Sequence, residues 1–154
     1  MQFTHEVTLT ASVPWRDIWA EWNDVRALPR LLSHVSHVRA AAPDDHEDLA
    51  HLVICLEGRH LEFTVERTMC AERTLCWQSV GALFLYVLSL RLDTLKTGGV
   101  SLTVTVAYDP PGFLPDIAES LGLSRKFRRE LDTDLRRYVH ALESNCLANL
   151  ALVD

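Results

Sequence analysis

The chain reads as an α+β fold: a curved antiparallel sheet of about seven strands wrapped around one long C-terminal helix, with two short helices after the first strand. Three observations predict it. Residues 100 to 108, Val-Ser-Leu-Thr-Val-Thr-Val-Ala-Tyr, alternate apolar and polar, as a strand with one buried face does. Asp109-Pro110-Pro111-Gly112 ends that strand, because neither proline nitrogen can donate to a ladder. Phe127, Leu131, Leu135, Tyr138, Val139, Leu142 and Cys146 then recur at helical spacing. A helix from Ser124, after a break at Gly122, to Leu150 would be about 40 Å long. Only a broad, curved sheet can bury such a stripe.

The other elements follow in order. Between Gln2 and Ala11, Phe3, His5, Val7 and Leu9 alternate with Thr4, Glu6, Thr8 and Thr10, which predicts the first strand. Ser12 is placed to cap a helix, with Pro14 in its first turn and Trp15, Ile18, Trp19 and Trp22 on one face. These indoles form either a core-facing stripe or a lid. Val25, Leu28, Leu31 and Leu32 predict a second short helix around Pro29, and Val35 to Ala41 a second strand. An acidic turn, Pro43 to Asp48, leads to strands at Leu49–Glu57 and Arg59–Cys70, joined at Gly58. Strands at Arg73–Val80 and Leu83–Thr94 flank Gly81-Ala82, and Lys96-Thr97-Gly98-Gly99 turns into the closing strand. No repeat or linker divides the 154 residues, so one domain is expected over 1–154.

Composition narrows the function. The chain carries 15 Lys and Arg against 21 Asp and Glu, a net charge of −6. That balance opposes a nucleic-acid partner, which needs a basic stripe. Arg125-Lys126-Phe127-Arg128-Arg129 is the one basic run, expected on a solvated helix face. No basic segment followed by an apolar core opens the chain, and the longest apolar run, Ala82 to Leu90, is too short to span a bilayer. No stable membrane insertion is expected. Cys55, Cys70, Cys76 and Cys146 show no paired spacing and read as reduced thiols, which fits a cytoplasmic protein. His34, His37, His46 and His51 match no zinc spacing, so neither metal nor cofactor is expected.

Several segments together carry a family resemblance. They are His5-Glu6-Val7-Thr8-Leu9 leading into Val13-Pro14-Trp15-Arg16-Asp17-Ile18-Trp19, Asp24, and Leu28-Pro29-Arg30-Leu31. Cys76-Trp77-Gln78-Ser79-Val80-Gly81 and Val104-Thr105-Val106-Ala107-Tyr108-Asp109-Pro110-Pro111-Gly112 complete the set. In this order the chain resembles the polyketide cyclase/dehydrase and lipid-transport superfamily, the START-like, SRPBCC-type proteins. The resemblance implies a helix-grip fold with a cavity between sheet and helix. It also implies binding or transport of a hydrophobic small molecule such as a lipid, quinone or polyketide. The alternatives are an aromatase/cyclase-type enzyme and a protein-interaction subunit with a collapsed cavity. The family has no universal catalytic motif. The chain departs from it at His51, where many relatives carry tryptophan, and at Cys55-Leu56-Glu57-Gly58, where they are glycine-rich.

Strand parity selects the side chains expected to line the cavity. They are His5 on the first strand, His51 and Val53 on the third, and Phe63 and Arg67 on the fourth. Trp77 follows on the fifth, then Leu102, Val104 and Tyr108 on the last, facing Leu131, Leu135 and Tyr138 of the helix. An apolar wall with a few polar tips is the composition of a small-molecule site. In the cyclase reading His51 is the general base, with Arg67 or Tyr108 steadying an enolate oxygen. Apolar residues on both faces of the strand at 83–94 predict coverage by a second chain, a homodimer, or by a loop or the N-terminal helices.

Overall fold

A computed structural model of the chain describes residues 2–40, 48–56, 58–81, 84–109 and 117–153, with the backbone alone at 40, 70, 117–120 and 146–153. Strand β1 (Phe3–Ala11) is followed by helix α1 (Trp15–Trp22), a 3-10 turn (Val25–Ala27) and the single-turn helix α2 (Leu28–Leu31). Six strands come next: β2 (Val35–Ala40), β3 (Leu49–Leu56), β4 (Arg59–Ala71), β5 (Thr74–Ser79), β6 (Tyr86–Thr94) and β7 (Val100–Tyr108). Helix α3 (Ile117–Val153) closes the chain. The strands form one antiparallel sheet in the order β1-β7-β6-β5-β4-β3-β2, so the first strand pairs with the last and every other neighbour is a hairpin. The concave face grips α3.

Most expected elements are present, with differences at their ends. Pro14, not Ser12, takes the cap position of α1, and no side chain bonds there. Pro14 supplies the cap through its backbone, its carbonyl accepting from the Asp17 N–H at 3.2 Å. The indole stripe splits: Ile18 and Trp22 are buried, whereas Trp15 and Trp19 are half-exposed and meet edge to face at 6.3 Å. The helix α3 starts at Ile117 and runs straight through Gly122, where a break is predicted. A glycine costs a helix only about 1 kcal/mol relative to alanine, and this one faces open space. At 37 residues α3 is about 55 Å long. The Asp132–Arg136 pair, four residues apart, closes at 2.8 Å. Residues 43–47 of the acidic turn, the Pro110-Pro111-Gly112 run, and the side chains of Cys70 and Cys146 lie outside the described residues.

Cross-strand register decides which residues face α3. Leu52 pairs with Phe63 and Ala50 with Val65, and all four belong to the core. His51 therefore pairs with Thr64 on the opposite, convex face, as does Val53 with Glu62. The parity assigned to β3 is thus reversed. Its eight residues are apolar on both parities apart from the histidine, so alternation alone left its register open. The outward side of β6 reads Val87 and Ser89, half-buried, then Arg91 and Asp93, exposed and ion-paired at 3.1 Å. Of the apolar outward set that predicts a homodimer, Leu85 and Val87 are half-buried and Leu83 lies outside the described residues. No helix among the described residues is long and apolar enough to cross a membrane.

Candidate functional site

The concave face is aliphatic at one end and aromatic at the other. Along β6 the inward residues are Tyr86, Leu88, Leu90 and Leu92, and along β7 Tyr108, Val106, Val104, Leu102 and Val100. Tyr86 pairs with Tyr108, and Tyr108 with Phe3 of β1. Both tyrosines thus stand in one row, at the end of the sheet reached by the first half of α3. There Phe127 projects inward, 3 % exposed, while Arg125, Lys126, Arg128 and Arg129 around it stay on the solvent side. Its ring centroid lies 4.7 Å from His34, 5.1 Å from His5 and 5.1 Å from Tyr108. Phe63 packs against Tyr86 at 5.2 Å and against Phe84 at 5.6 Å.

Two histidines meet in this cluster under different conditions. His34 bonds through Nε2 to the Tyr86 hydroxyl at 2.6 Å. Burial pushes the His34 pKa down to about 3 and raises that of Tyr86, so both are neutral at ordinary pH. Burial also lowers the pKa of His5, and the nearby Arg128 cation lowers it further. The His5 Nε2 atom and the Tyr108 hydroxyl are both buried, and neither has a hydrogen-bond partner among the described residues. Burial raises the Tyr108 pKa to about 12.

A cleft of about 460 Å³ opens between α3 and the β2–β3 side of the sheet. His34, Phe127, Leu123 and Leu56 line it from within, and Lys126, Arg129 and Glu130 stand around it. Its floor is tied down by Asp134, 3 % exposed, whose carboxylate accepts from the Ser33 N–H at 2.8 Å and from the Ser33 hydroxyl at 2.6 Å. Arg137 donates to the same carboxylate at 3.0 Å. The segment entering β2 is in this way fixed to α3, and His34 is the next residue along.

The expected cavity residues divide accordingly. His5, Phe63, Trp77, Leu102, Val104, Tyr108, Leu131, Leu135 and Tyr138 are all buried. Val53 is buried too, but with half-buried His51 it lies on the convex side of β3, away from α3. The His51 Nδ1 sits 3.0 Å from the Thr64 hydroxyl on the convex face, which removes it as a base for interior chemistry. Arg67 shares the inner parity of Phe63 and Val65 but is a strut rather than a free cation. It donates to Asp48 at 3.1 and 2.6 Å and to the Asn23 side chain at 3.0 Å, with its guanidinium 5.8 Å from the Trp77 ring. This joins the end of α1 and the start of β3 to β4, and leaves Arg67 poorly placed to steady an enolate. His34, Tyr86 and Asp134 were not expected at the site. Tyr86 was legible from the parity of its strand, whereas His34 and Asp134 take their roles from contacts 52 and 101 residues away.

Comparison with solved structures identifies the architecture. A Deinococcus radiodurans protein superposes with a TM-score of 0.72 at 18% identity, covering 92% of this chain and 98% of its own. A START superfamily protein from Mycobacterium smegmatis gives 0.70 at 15% identity, covering 91% of this chain and 99% of its own. This is the START-like, helix-grip fold. A third match is the Zhui aromatase/cyclase from Streptomyces sp. R1128, with a TM-score of 0.65 at 13% identity over 97% of this chain and 96% of its own. No family model and no curated protein matches the chain by sequence. The START-like resemblance read from the sequence thus agrees with the fold that these structures share.

Proposed function

We propose that the protein binds a hydrophobic small molecule, of the lipid, quinone or polyketide kind, between the concave sheet and α3. The observation that carries this reading is the aromatic end of the interior, where His34 and Phe127 form the inner wall of a cleft of about 460 Å³. A cleft of that size falls in the range of about 300–1,000 Å³ usual for small-molecule sites. In this reading His5, Phe63 and Tyr108 line the ligand's aromatic end, Leu102 and Val104 pack the aliphatic end behind it, and Arg67 braces the sheet through Asp48 and Asn23. Transport is the use such a site has when its ligand is released unchanged. A cytoplasmic location is part of this proposal, on the unpaired sequence spacing of the four cysteines.

The aromatase/cyclase alternative is favoured by the match to the Zhui enzyme. With His51 on the convex face, its interior base would be His5. Native mass spectrometry of protein purified from its own source tests the binding proposal. A retained mass of one hydrophobic small molecule per chain is expected. Protein that carries no guest and takes up no apolar probe would overturn it.

A further inference from the structure

Phe127 separates two environments. Its ring lines the cleft shared with His34. The same ring packs against His5 and Tyr108, which do not line that cleft and whose rings lie 5.7 Å apart and 5.1 Å each from the Phe127 ring. His5 is 5 % exposed and Tyr108 1 % exposed, yet the His5 Nε2 and the Tyr108 hydroxyl have no partner among the described residues. Buried polar atoms are ordinarily paired, because leaving one unpaired costs the full desolvation of that group. The neighbouring pair follows the rule: His34 and Tyr86 satisfy each other at 2.6 Å. Within one aromatic cluster, therefore, one histidine–tyrosine pair is committed and the other is not.

We propose that His5 and Tyr108 form an internal polar clamp for one neutral oxygen, a phenol, alcohol or ketone, on a ring-shaped apolar ligand, and that Phe127 is the side chain that yields to admit it from the cleft. The proposal rests on the ligand-binding reading above and names the ligand's class. A hydroxyl accepts from the Tyr108 O–H and donates to an unprotonated Nε2; a ketone accepts from Tyr108 and from the Nε2–H tautomer. Both side chains stay uncharged at neutral pH, since burial and Arg128 lower the His5 pKa and burial raises that of Tyr108. A carboxylate would be desolvated here with only neutral partners in contact, which disfavours fatty acids as the guest. Flat rings suit the site because Phe3 meets Tyr108 edge-on at 5.7 Å and Phe127 packs beside both polar residues.

Two probes of nearly the same shape test this, 2-naphthol and 2-methylnaphthalene, titrated calorimetrically into the full chain. The native protein should prefer 2-naphthol about tenfold, the fold-change one hydrogen bond supplies. Tyr108→Phe should abolish the preference, lowering the ratio of 2-naphthol to 2-methylnaphthalene affinity about tenfold. Phe127→Ala should speed entry of both probes and keep the preference. His5→Phe is the second variant, should Tyr108→Phe not fold. Binding without preference, or a preference surviving both substitutions, overturns the clamp and leaves the binding proposal standing. If neither probe binds the native protein or Phe127→Ala, the binding proposal falls and the clamp with it.

Discussion

The two ends of the concave face are built from the same strands and the same alternation, yet they offer different chemistry. At one end β6 and β7 present Leu90, Leu92, Val100, Leu102 and Val104, joined by Leu75 of β5 and Ala11 of β1. At the other they present Tyr86 and Tyr108, joined by Phe3 and His5 and faced by Phe127. Aliphatic side chains have only shape to satisfy, so their end closes into a packed core. Polar-tipped rings must also find partners. His34 and Tyr86 find each other, whereas His5 and Tyr108 do not. In a sheet–helix sandwich of this kind, binding capacity therefore follows from the few inward positions that hold something other than an aliphatic residue.

The sharpest way to break this contrast is at the aliphatic end. Leu90→Ala, at a site 2 % exposed, should cost about 2–5 kcal/mol of stability in urea unfolding. The same variant should leave probe affinity at the aromatic end within about twofold once the protein is folded. A loss of probe binding equal to that of an aromatic-end variant would show that the two ends act as one.

A smaller effect comes from pH. His34 titrates near pH 6.5 when unfolded and near 3 when folded. Between those values the unfolded chain takes up a proton that the folded one refuses. The stabilisation is therefore complete above about pH 6.5 and is lost as pH falls toward about 3, at up to about 1.4 kcal/mol per pH unit. The lowered pKa of His5 acts in the same direction. His34→Gln keeps a partner for the Tyr86 hydroxyl and removes the titration, so unfolding measured at pH 7, 6 and 5 should show a shallower slope. An unchanged slope would mean that acid sensitivity arises elsewhere.

The smallest effect is expected at His51. His51→Ala on the convex face, which removes the hydrogen bond to Thr64, should cost no more than about 1.5 kcal/mol and leave probe binding unaltered. A tenfold loss of binding would return His51 to the interior and undo the register argument.

How far the site could be read in advance varied with each strand's pattern. Parity worked on β1 and β7, because threonines and serines mark their outer faces. It failed on β3, where Leu49, Val53 and Cys55 compete with Ala50, Leu52, Ile54 and Leu56 for the inner face. Pairing with Phe63 and Val65 of β4, whose alternation is cleaner, decides the matter. Arg67 was correctly assigned to the inner parity, but its engagement with Asp48 and Asn23 depends on where α1 ends in space.

By itself the sequence determined the order of elements, the long final helix, the inward set on the clearly alternating strands, and the START-like resemblance. These rest on periodicity and on proline and glycine chemistry, which act over a few residues. Tertiary structure alone decided the face of β3, the passage of α3 through Gly122, and the gathering of His5, His34, Tyr86 and Tyr108 around Phe127. Those outcomes depend on cross-strand register and on helix-to-sheet packing. Such contacts join residues far apart in the chain, and a local pattern cannot encode which of two equally apolar faces will turn inward.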